Sequence, residues 1–313
     1  MEKTTFNHRS VLLHETIALL DIKGGGLYVD CTTGGGGHSA AIAAKLAEYG
    51  GAKGKLICFD RDASAITAAK SRLSQYKNIE FINANFADMA EYDICGADGV
   101  VMDLGVSSHQ LDTAERGFSF HEDAPLDMRM NAEDALSAYN IVNEYSQEDL
   151  TRILFEYGEE KHARAIARGI IRRRELSPVT TTGELAEVIR TNVPLSYRNA
   201  KNPCRKAFQA IRMEVNDELP SLERGLQAAF AALKSGGRFA VITFHSLEDR
   251  LVKRTFAGFA QGCDCPRELP LCVCGKRPKA AHVTRKPVEP GEGELADNRR
   301  ARSAKLRAVE KLP

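Results

Sequence analysis

Carboxylates end three strand-like runs of this chain, and four consecutive glycines follow the first of them. Leu27-Tyr28-Val29-Asp30 leads directly into Cys31-Thr32-Thr33-Gly34-Gly35-Gly36-Gly37-His38. Glycines placed after a strand permit a tight turn and let a ligand approach the backbone at the N-terminus of the next helix. A strand, glycine loop and helix alone serve many nucleotide-binding folds. Asp30 narrows the choice, because an acid before the loop repels a pyrophosphate and attracts a cation. That favours the aminoacyl-sulfonium of S-adenosylmethionine over NAD. Asp60 ends Lys55–Asp60, where a carboxylate can take both hydroxyls of a ribose. Asp103 ends Asp98–Asp103, where a substrate nucleophile would meet the cofactor's methyl group. A later run closes on Thr243-Phe244-His245-Ser246-Leu247-Glu248-Asp249-Arg250. Ser246 is the expected helix cap there, with Glu248 and Asp249 in the first turn, which leaves His245 for chemistry. The competing reading is structural, with glycines that only turn the chain and Asp30 and Asp60 as helix caps.

The elements that must position these residues follow from hydrophobic pattern. Strands are expected at 27–30, 55–60, 78–83, 98–103 and 237–243, with two further candidates at 282–286 and 303–310. Helical patterns separate the early strands at 39–49 and 63–76. Strands alternating with helices of this length indicate βαβ units and a parallel sheet. From Leu111 to Val215 the pattern is helical without clear strands, including 147–157, 162–175 and 182–191. A further helix at 219–233 and a Ser-Gly-Gly turn precede the fifth strand. The expectation is an α/β doubly wound, Rossmann-like sheet interrupted by an inserted helical domain. Its parts are 1–110 and 216–313 for the sheet domain and 111–215 for the insertion. Residues 1–11 and 289–298 read as loops or arms.

A chain of 313 residues with 43% apolar and 27% charged side chains is neither disordered nor collagen-like and can bury a sizeable core. No run approaches a membrane-spanning length, and the first residues lack the pattern of a secretory signal. With eight cysteines and no such signal, reduced thiols or metal ligands in a cytoplasmic protein are expected. The net charge of +1 conceals uneven parts: −3 over 1–110, −8 over 111–151, +7 over 152–212, −1 over 213–274 and +6 over 275–313. The two basic blocks are candidates for phosphate contact, or else solvated helix faces.

Longer blocks give a more specific signal. His8–Glu15, Asp30–Ser39, Asp103–Asp112, Glu115–Phe120, Pro125–Met130, Tyr157–Glu160, Phe208–Arg212 and Phe244–Arg250 resemble, in order, the bacterial 16S rRNA cytosine-N4 methyltransferases. The resemblance implies a class I S-adenosylmethionine-dependent enzyme whose substrate is a cytidine in the decoding region of 16S rRNA of the small ribosomal subunit. By motif it places cofactor contacts on Gly36, Gly37, His38, Asp60, Phe86, Asp103 and Gln110. Phe86 could stack an adenine, although its position alone suits a core aromatic. The one departure is Gly35, where relatives often carry a larger residue.

Many amino-methyltransferases carry an Asp/Asn-Pro-Pro-aromatic motif after the fourth strand, but here the residues are Asp103-Leu104-Gly105-Val106. Asp103 and His245 are therefore the expected catalytic residues, Asp103 near both methionine moiety and amine, with His245 or Glu248 orienting the base or taking the proton. A base in folded rRNA must be unstacked to react, and Phe118, Phe120 and Phe244 are candidates to stack it. Arg168, Arg172–Arg174 and Tyr197–Lys206 would supply phosphate contacts, as would Asn298–Lys305. No metal is assigned to the active constellation. Cys263, Cys265, Cys272 and Cys274 form two CxC pairs whose four thiolates would suit tetrahedral zinc, or else a reduced cysteine-rich loop; some relatives lack them. The rival readings are a DNA amino-methyltransferase, an RNA-binding ribosome assembly factor with a vestigial pocket, and an NAD-dependent dehydrogenase.

Overall fold

The structure, a computed structural model, describes residues 10–50, 54–200, 202–263, 265 and 274–313. Most of the expected N-terminal arm, Lys201 and Cys272 lie outside these residues. The chain divides into two compact units, 1–105 with 221–313, and 106–220. Each junction falls five residues from the expected one, and α11 runs across the second.

In chain order the first unit begins with α1 (Leu13–Leu20), β1 (Leu27–Asp30), α2 (Gly37–Glu48), β2 (Lys55–Asp60), α3 (Ala63–Arg72), β3 (Ile79–Asn83) and β4 (Ala97–Asp103). The second unit holds α4 (Ser108–Asp112), α5 (Ala138–Glu144), α6 (Gln147–Glu156), α7 (Ala163–Leu176), α8 (Thr182–Thr191), α9 (Leu195–Ala200) and α10 (Cys204–Val215). The chain then continues through α11 (Glu218–Ala232), β5 (Leu233–Thr243), α12 (Ser246–Ala260), β6 (Ala280–His282), α13 (Glu292–Asp297) and β7 (Lys305–Lys311).

The seven strands pair in the order β3-β2-β1-β4-β5-β7-β6. β1 to β5 are parallel, whereas β7 runs antiparallel to both β5 and β6. Alternation along the central strands divides the apolar residues between two cores, one on each face. Val100, Met102, Phe239 and Val241 enter one, and Val101, Ala240 and Ile242 the other. Burial on both faces explains why these strands read as continuous apolar runs rather than alternating ones. The order reverses between β1 and β4, so the crevice beyond their carboxyl ends is the switch point at which such sheets bind ligands. Asp30 and Asp103 are the last residues of those two strands.

Three local expectations need correction. The expected strand at 282–286 occurs as β6 at Ala280–His282, because the Val283 and Thr284 N–H groups both turn onto the Ala308 carbonyl and Thr284 Oγ1 takes the Ala308 N–H. The loop expected at 289–298 contains α13. The Ser-Gly-Gly turn is an irregularity inside β5, with Gly236 at φ 77°.

In the second unit, α7 buries Ala163, Ile166, Ala167 and Ile170, the i, i+3, i+4, i+7 stripe of an amphipathic helix. They join Ile141, Ile153, Leu154, Leu185, Ile189, Phe208 and Ile211 in one core. Capping boxes start α5 (Ser137 with Asn140) and α8 (Thr181 with Glu184), satisfying backbone donors that have no partner within the helix. Residues 117–136 were expected to be helical but are irregular. Gly117 and Met128 have φ of 69° and 61°, and Arg116 Nη2 donates to the carbonyls of Arg129 and Met130, each at 2.8 Å. Among the described residues, no helix is long and apolar enough to cross a membrane.

Candidate active site

The glycine loop is held by carboxylates. Asp30, 1% exposed, accepts from the Thr32 N–H at 3.1 Å and from Ser39 Oγ at 2.6 Å. Asp60 accepts from the Gly34 N–H at 2.7 Å and the Asp62 N–H at 2.9 Å, tying the end of β2 to the loop. Asp62, rather than Asp60, caps α3. Burial dominates both acids: it pushes the Asp30 and Asp60 carboxyls up to about 6, against the hydrogen bonds that pull them down. Gly34 and Gly36 have φ of 51° and 75°, a region most side chains avoid. At Gly37 a Cβ would collide with Ser10 Oγ, whereas at Gly35 it would meet open space. The loop geometry therefore does not depend on the glycine at position 35.

Asp103 and His38 meet across the switch point. His38, 4% exposed, has Nε2 3.2 Å from the Val11 carbonyl and Nδ1 3.5 Å from Asp103 Oδ2. A carbonyl only accepts, so Nε2 carries the proton and Nδ1 presents a lone pair toward Asp103. Burial lowers the His38 ring to about 4, leaving it neutral near pH 7. The Asp103 carboxyl is pushed well above its ordinary value by burial, then by Asp30, Glu248 and Glu294. Its backbone N–H donates to Thr32 Oγ1 at 2.6 Å, which ties β4 to the loop after β1. Asp103 Oδ1, Thr33 Oγ1 and His245 Nε2 are buried and lack a hydrogen-bond partner among the described residues.

The N-terminal wall of this pocket has no local signature in the sequence. Leu12 adopts φ 52°, and its N–H donates to Glu294 Oε1 at 2.9 Å. This bond, spanning most of the chain, holds the turn that presents the Val11 carbonyl to His38.

His245 is itself the N-cap of α12, so the expected cap at Ser246 is incorrect. The Glu248 N–H points to His245 Nδ1 at 3.4 Å, while Glu248 Oε2 accepts from the Phe244 and His245 N–H groups at 2.8 and 3.2 Å. Nε2 lies 3.1 Å from Glu248 Oε1 without making a hydrogen bond to it. Capping therefore orients the ring and leaves one nitrogen for a ligand. Asp249 accepts from Arg307 at 2.7 and 3.2 Å, anchoring α12 to β7. Phe86 is half-buried, and a Cβ on Gly225 would collide with its ring. The ring thus lies against a helix backbone with one edge in the apolar core.

The first unit therefore holds Gly36, Gly37, His38, Asp60, Phe86, Asp103 and His245. Gln110 belongs to the second unit, where its side chain accepts from the Ser107 N–H at 3.0 Å and its own N–H donates to Ser107 Oγ at 3.2 Å. Phe118 is buried in the second unit's core, and Phe120 packs edge-on to Phe208 with centroids 5.3 Å apart, which leaves Phe244 as the half-buried candidate of the three. The expected phosphate contacts are also redistributed. Arg173 pairs with Glu184 at 2.9 Å, and Arg174 donates to the Val142 carbonyl at 2.9 Å. Arg172 donates to Asn192 Oδ1 at 2.7 Å, yet it is exposed on the same face of α7 as Arg164 and Arg168.

The cradle fits a cationic nucleoside cofactor. It offers a glycine loop at a helix start, carboxylates in place of a phosphate site, an Asp103 oxygen unpartnered among the described residues and an aromatic edge at Phe86. Such a sheet and cradle define a class I S-adenosylmethionine-dependent methyltransferase. The chain belongs to the MraW methylase family, whose model matches residues 5–312. It is 52% identical over 311 residues to a ribosomal RNA small subunit methyltransferase H of Clostridium botulinum, covering 98% of this chain and 99% of that one. A protein of the same name from Symbiobacterium thermophilum is 51% identical, with coverage of 98% and 97%. Among solved structures, an rRNA methylase from Streptococcus thermophilus aligns over 97% of this chain and 98% of that chain, at 11% identity and a TM-score of 0.43.

Proposed function

We propose that this protein methylates the exocyclic N4 amine of the cytidine at position 1402 of 16S rRNA, acting on the small ribosomal subunit in the cytoplasm. The observation that carries the chemistry is the half-buried Asp103 carboxyl at the switch point, with Oδ1 shielded from solvent and unpartnered among the described residues and Oδ2 facing His38 Nδ1. The choice of small-subunit rRNA rests on the full-length likeness to proteins named small subunit rRNA methyltransferases, and that of the cytosine N4 amine on membership of the family.

The cofactor supplies a methyl group already activated by its sulfonium charge. An N4 amine is a weak nucleophile, because its lone pair is delocalised into the ring, so the protein must align it and remove one proton. Asp103 is suited to both tasks: Oδ1 can accept from the amine, and a cation beside it favours its ionised form. Neutral His38 backs it with a fixed lone pair, which steadies the carboxyl's orientation and its proton. His245 Nε2 offers a second polar contact at the same edge, and Asp60 retains lone pairs for ribose hydroxyls beyond its two backbone bonds. Arg164, Arg168 and Arg172, four residues apart along α7, present a positive stripe suited to rRNA phosphates. The test is mass spectrometry of nucleosides from 16S rRNA incubated with the protein and isotopically labelled S-adenosylmethionine. Labelled N4-methylcytidine is expected with the wild type and should form roughly a hundredfold or more slowly with Asp103→Asn; label on another base, or none, with the wild type defeats the reading.

A further inference from the structure

The three described cysteines between α12 and β6 form a cluster that the methylation chemistry does not use. Cys263, Cys265 and Cys274 bring their sulfurs within 4.8 Å of one another, and none is joined in a disulfide. The Cys263 and Cys274 sulfurs are 3.7 Å apart. Two thiolates bound to one zinc at about 2.3 Å and the tetrahedral angle would be separated by about 3.8 Å, so this pair already has the spacing of two ligands of a single ion. The Cys265 N–H points at Cys263 Sγ, 3.3 Å away, the kind of backbone donor that steadies a thiolate and orients it toward a metal. Gly275, immediately after Cys274, has φ 61° and turns the chain directly behind the cluster. The ends of the excursion are pinned, since the Lys279 N–H donates to the Phe259 carbonyl at 2.8 Å.

We propose that Cys263, Cys265 and Cys274 bind a structural zinc ion. Three converging thiolates select a soft or borderline cation over magnesium or calcium, and zinc needs only one more donor to complete a closed tetrahedron. The ion joins Cys263 and Cys265 to Cys274 and fixes the start of Lys276-Arg277-Pro278-Lys279, a basic run soon after the last of these ligands. Because binding requires deprotonated thiols, the site releases protons as it fills and stabilises the folded chain.

The experiment uses the full-length protein purified under reducing conditions without chelator. Elemental analysis is expected to find one zinc per chain. After removal of zinc, cobalt(II) is expected to give a thiolate-to-cobalt charge-transfer band and the visible bands of a tetrahedral site. Cys263→Ser and Cys274→Ser should each lose the zinc while keeping the thermal shift produced by S-adenosylmethionine, and Cys265→Ser should weaken cobalt binding at least tenfold. Cys95→Ser, which removes an exposed cysteine elsewhere, should retain the metal. No zinc in the wild type together with no cobalt charge-transfer band overturns the site, as does iron in place of zinc or a band unchanged in Cys263→Ser. The wild-type measurements decide the matter even where a variant fails to fold.

Discussion

Substituting Asp30→Asn should make the cofactor-free protein more stable while weakening its hold on S-adenosylmethionine. Asp30 is 1% exposed, and its carboxyl is moved from 3.8 to about 6, mainly by burial. At about 1.4 kcal/mol for each tenfold change in proton affinity, this displacement costs the folded state roughly 3 kcal/mol when the group is ionised. The sign follows from the raised value. Below about 3.8 both folded and unfolded chains are protonated there, and the stability is fully present. Between about 3.8 and 6 the folded chain holds the proton more tightly, so stability falls as pH rises, and above 6 the loss is complete. Asparagine is neutral throughout and nearly the same shape, and Ser39 Oγ can rotate from donating to accepting. The variant should therefore exceed the wild type by up to about 3 kcal/mol near pH 7.5, and by about half of that near pH 5. Urea denaturation at the two pH values measures this difference. In the same experiment the added stability from saturating S-adenosylmethionine should shrink, because the carboxylate offsets the cofactor's positive charge; a tenfold weaker affinity corresponds to about 1.4 kcal/mol. A variant less stable than the wild type at pH 7.5 would mean that the Thr32 and Ser39 hydrogen bonds outweigh desolvation. Unchanged cofactor affinity would mean that Asp30 supports the loop without acting on its ligand.

Asp103→Asn should lower turnover by roughly a hundredfold or more, and should abolish the proton release that calorimetry in buffers of different ionisation enthalpy detects when the wild type binds S-adenosylmethionine. Glu294→Gln keeps an acceptor for the Leu12 N–H but removes a charge that holds the Asp103 carboxyl up; the acid limb of the pH–rate profile should move to lower pH, and an unmoved limb would show that Glu294 only braces the turn. Gly37→Ala should impair cofactor binding through collision with Ser10 Oγ, and Ser10→Gly in the same chain should restore it, as equilibrium dialysis would show. Arg164→Gln and Arg168→Gln should each reduce the salt slope of rRNA binding by roughly 0.7 to 0.9, whereas Arg173→Gln should destabilise the chain through loss of its Glu184 pair and change the slope little.

Much of the sheet was legible because its signals are local. The strand ends at Asp30, Asp60 and Asp103 are marked by an apolar run meeting an acid, and the glycines by their own continuity. What the sequence leaves unmarked depends on partners distant along the chain. Glu294 stands in a segment that reads as an arm, and nothing near it indicates that its carboxylate reaches the Leu12 N–H. The cap of α12 is a similar case: serine outranks histidine as an N-cap, but Glu248 can reach back to two successive N–H groups only if the helix begins one residue earlier. The triple arginine was ambiguous in principle, since three successive residues of a helix cannot share a face. Only the packing of α7 against α8 and α5 separates the arginines that brace the unit from the one that remains outward.

The three strand-end acids suggest why so much of the chain converges on one short loop. Asp30, Asp60 and Asp103 each sit where desolvation disfavours their charge, and each carries a bond that restrains the loop: Asp30 to Thr32 and Ser39, Asp60 to Gly34, and Asp103 through its N–H to Thr32. A site with fewer anchors could relax by turning these carboxylates toward water, and would then meet a cation only after reorganising. Holding them inward places three acids around the point where a cation would enter. The entering sulfonium therefore gains electrostatic stabilisation that would be weaker at a solvated acid, and Asp103 ionises where the amine must lose its proton. Asp30 raises both of the other carboxyls, so Asp30→Asn should lower the pH at which Asp60 and Asp103 ionise, a coupling that carboxyl-selective NMR of the variant can detect.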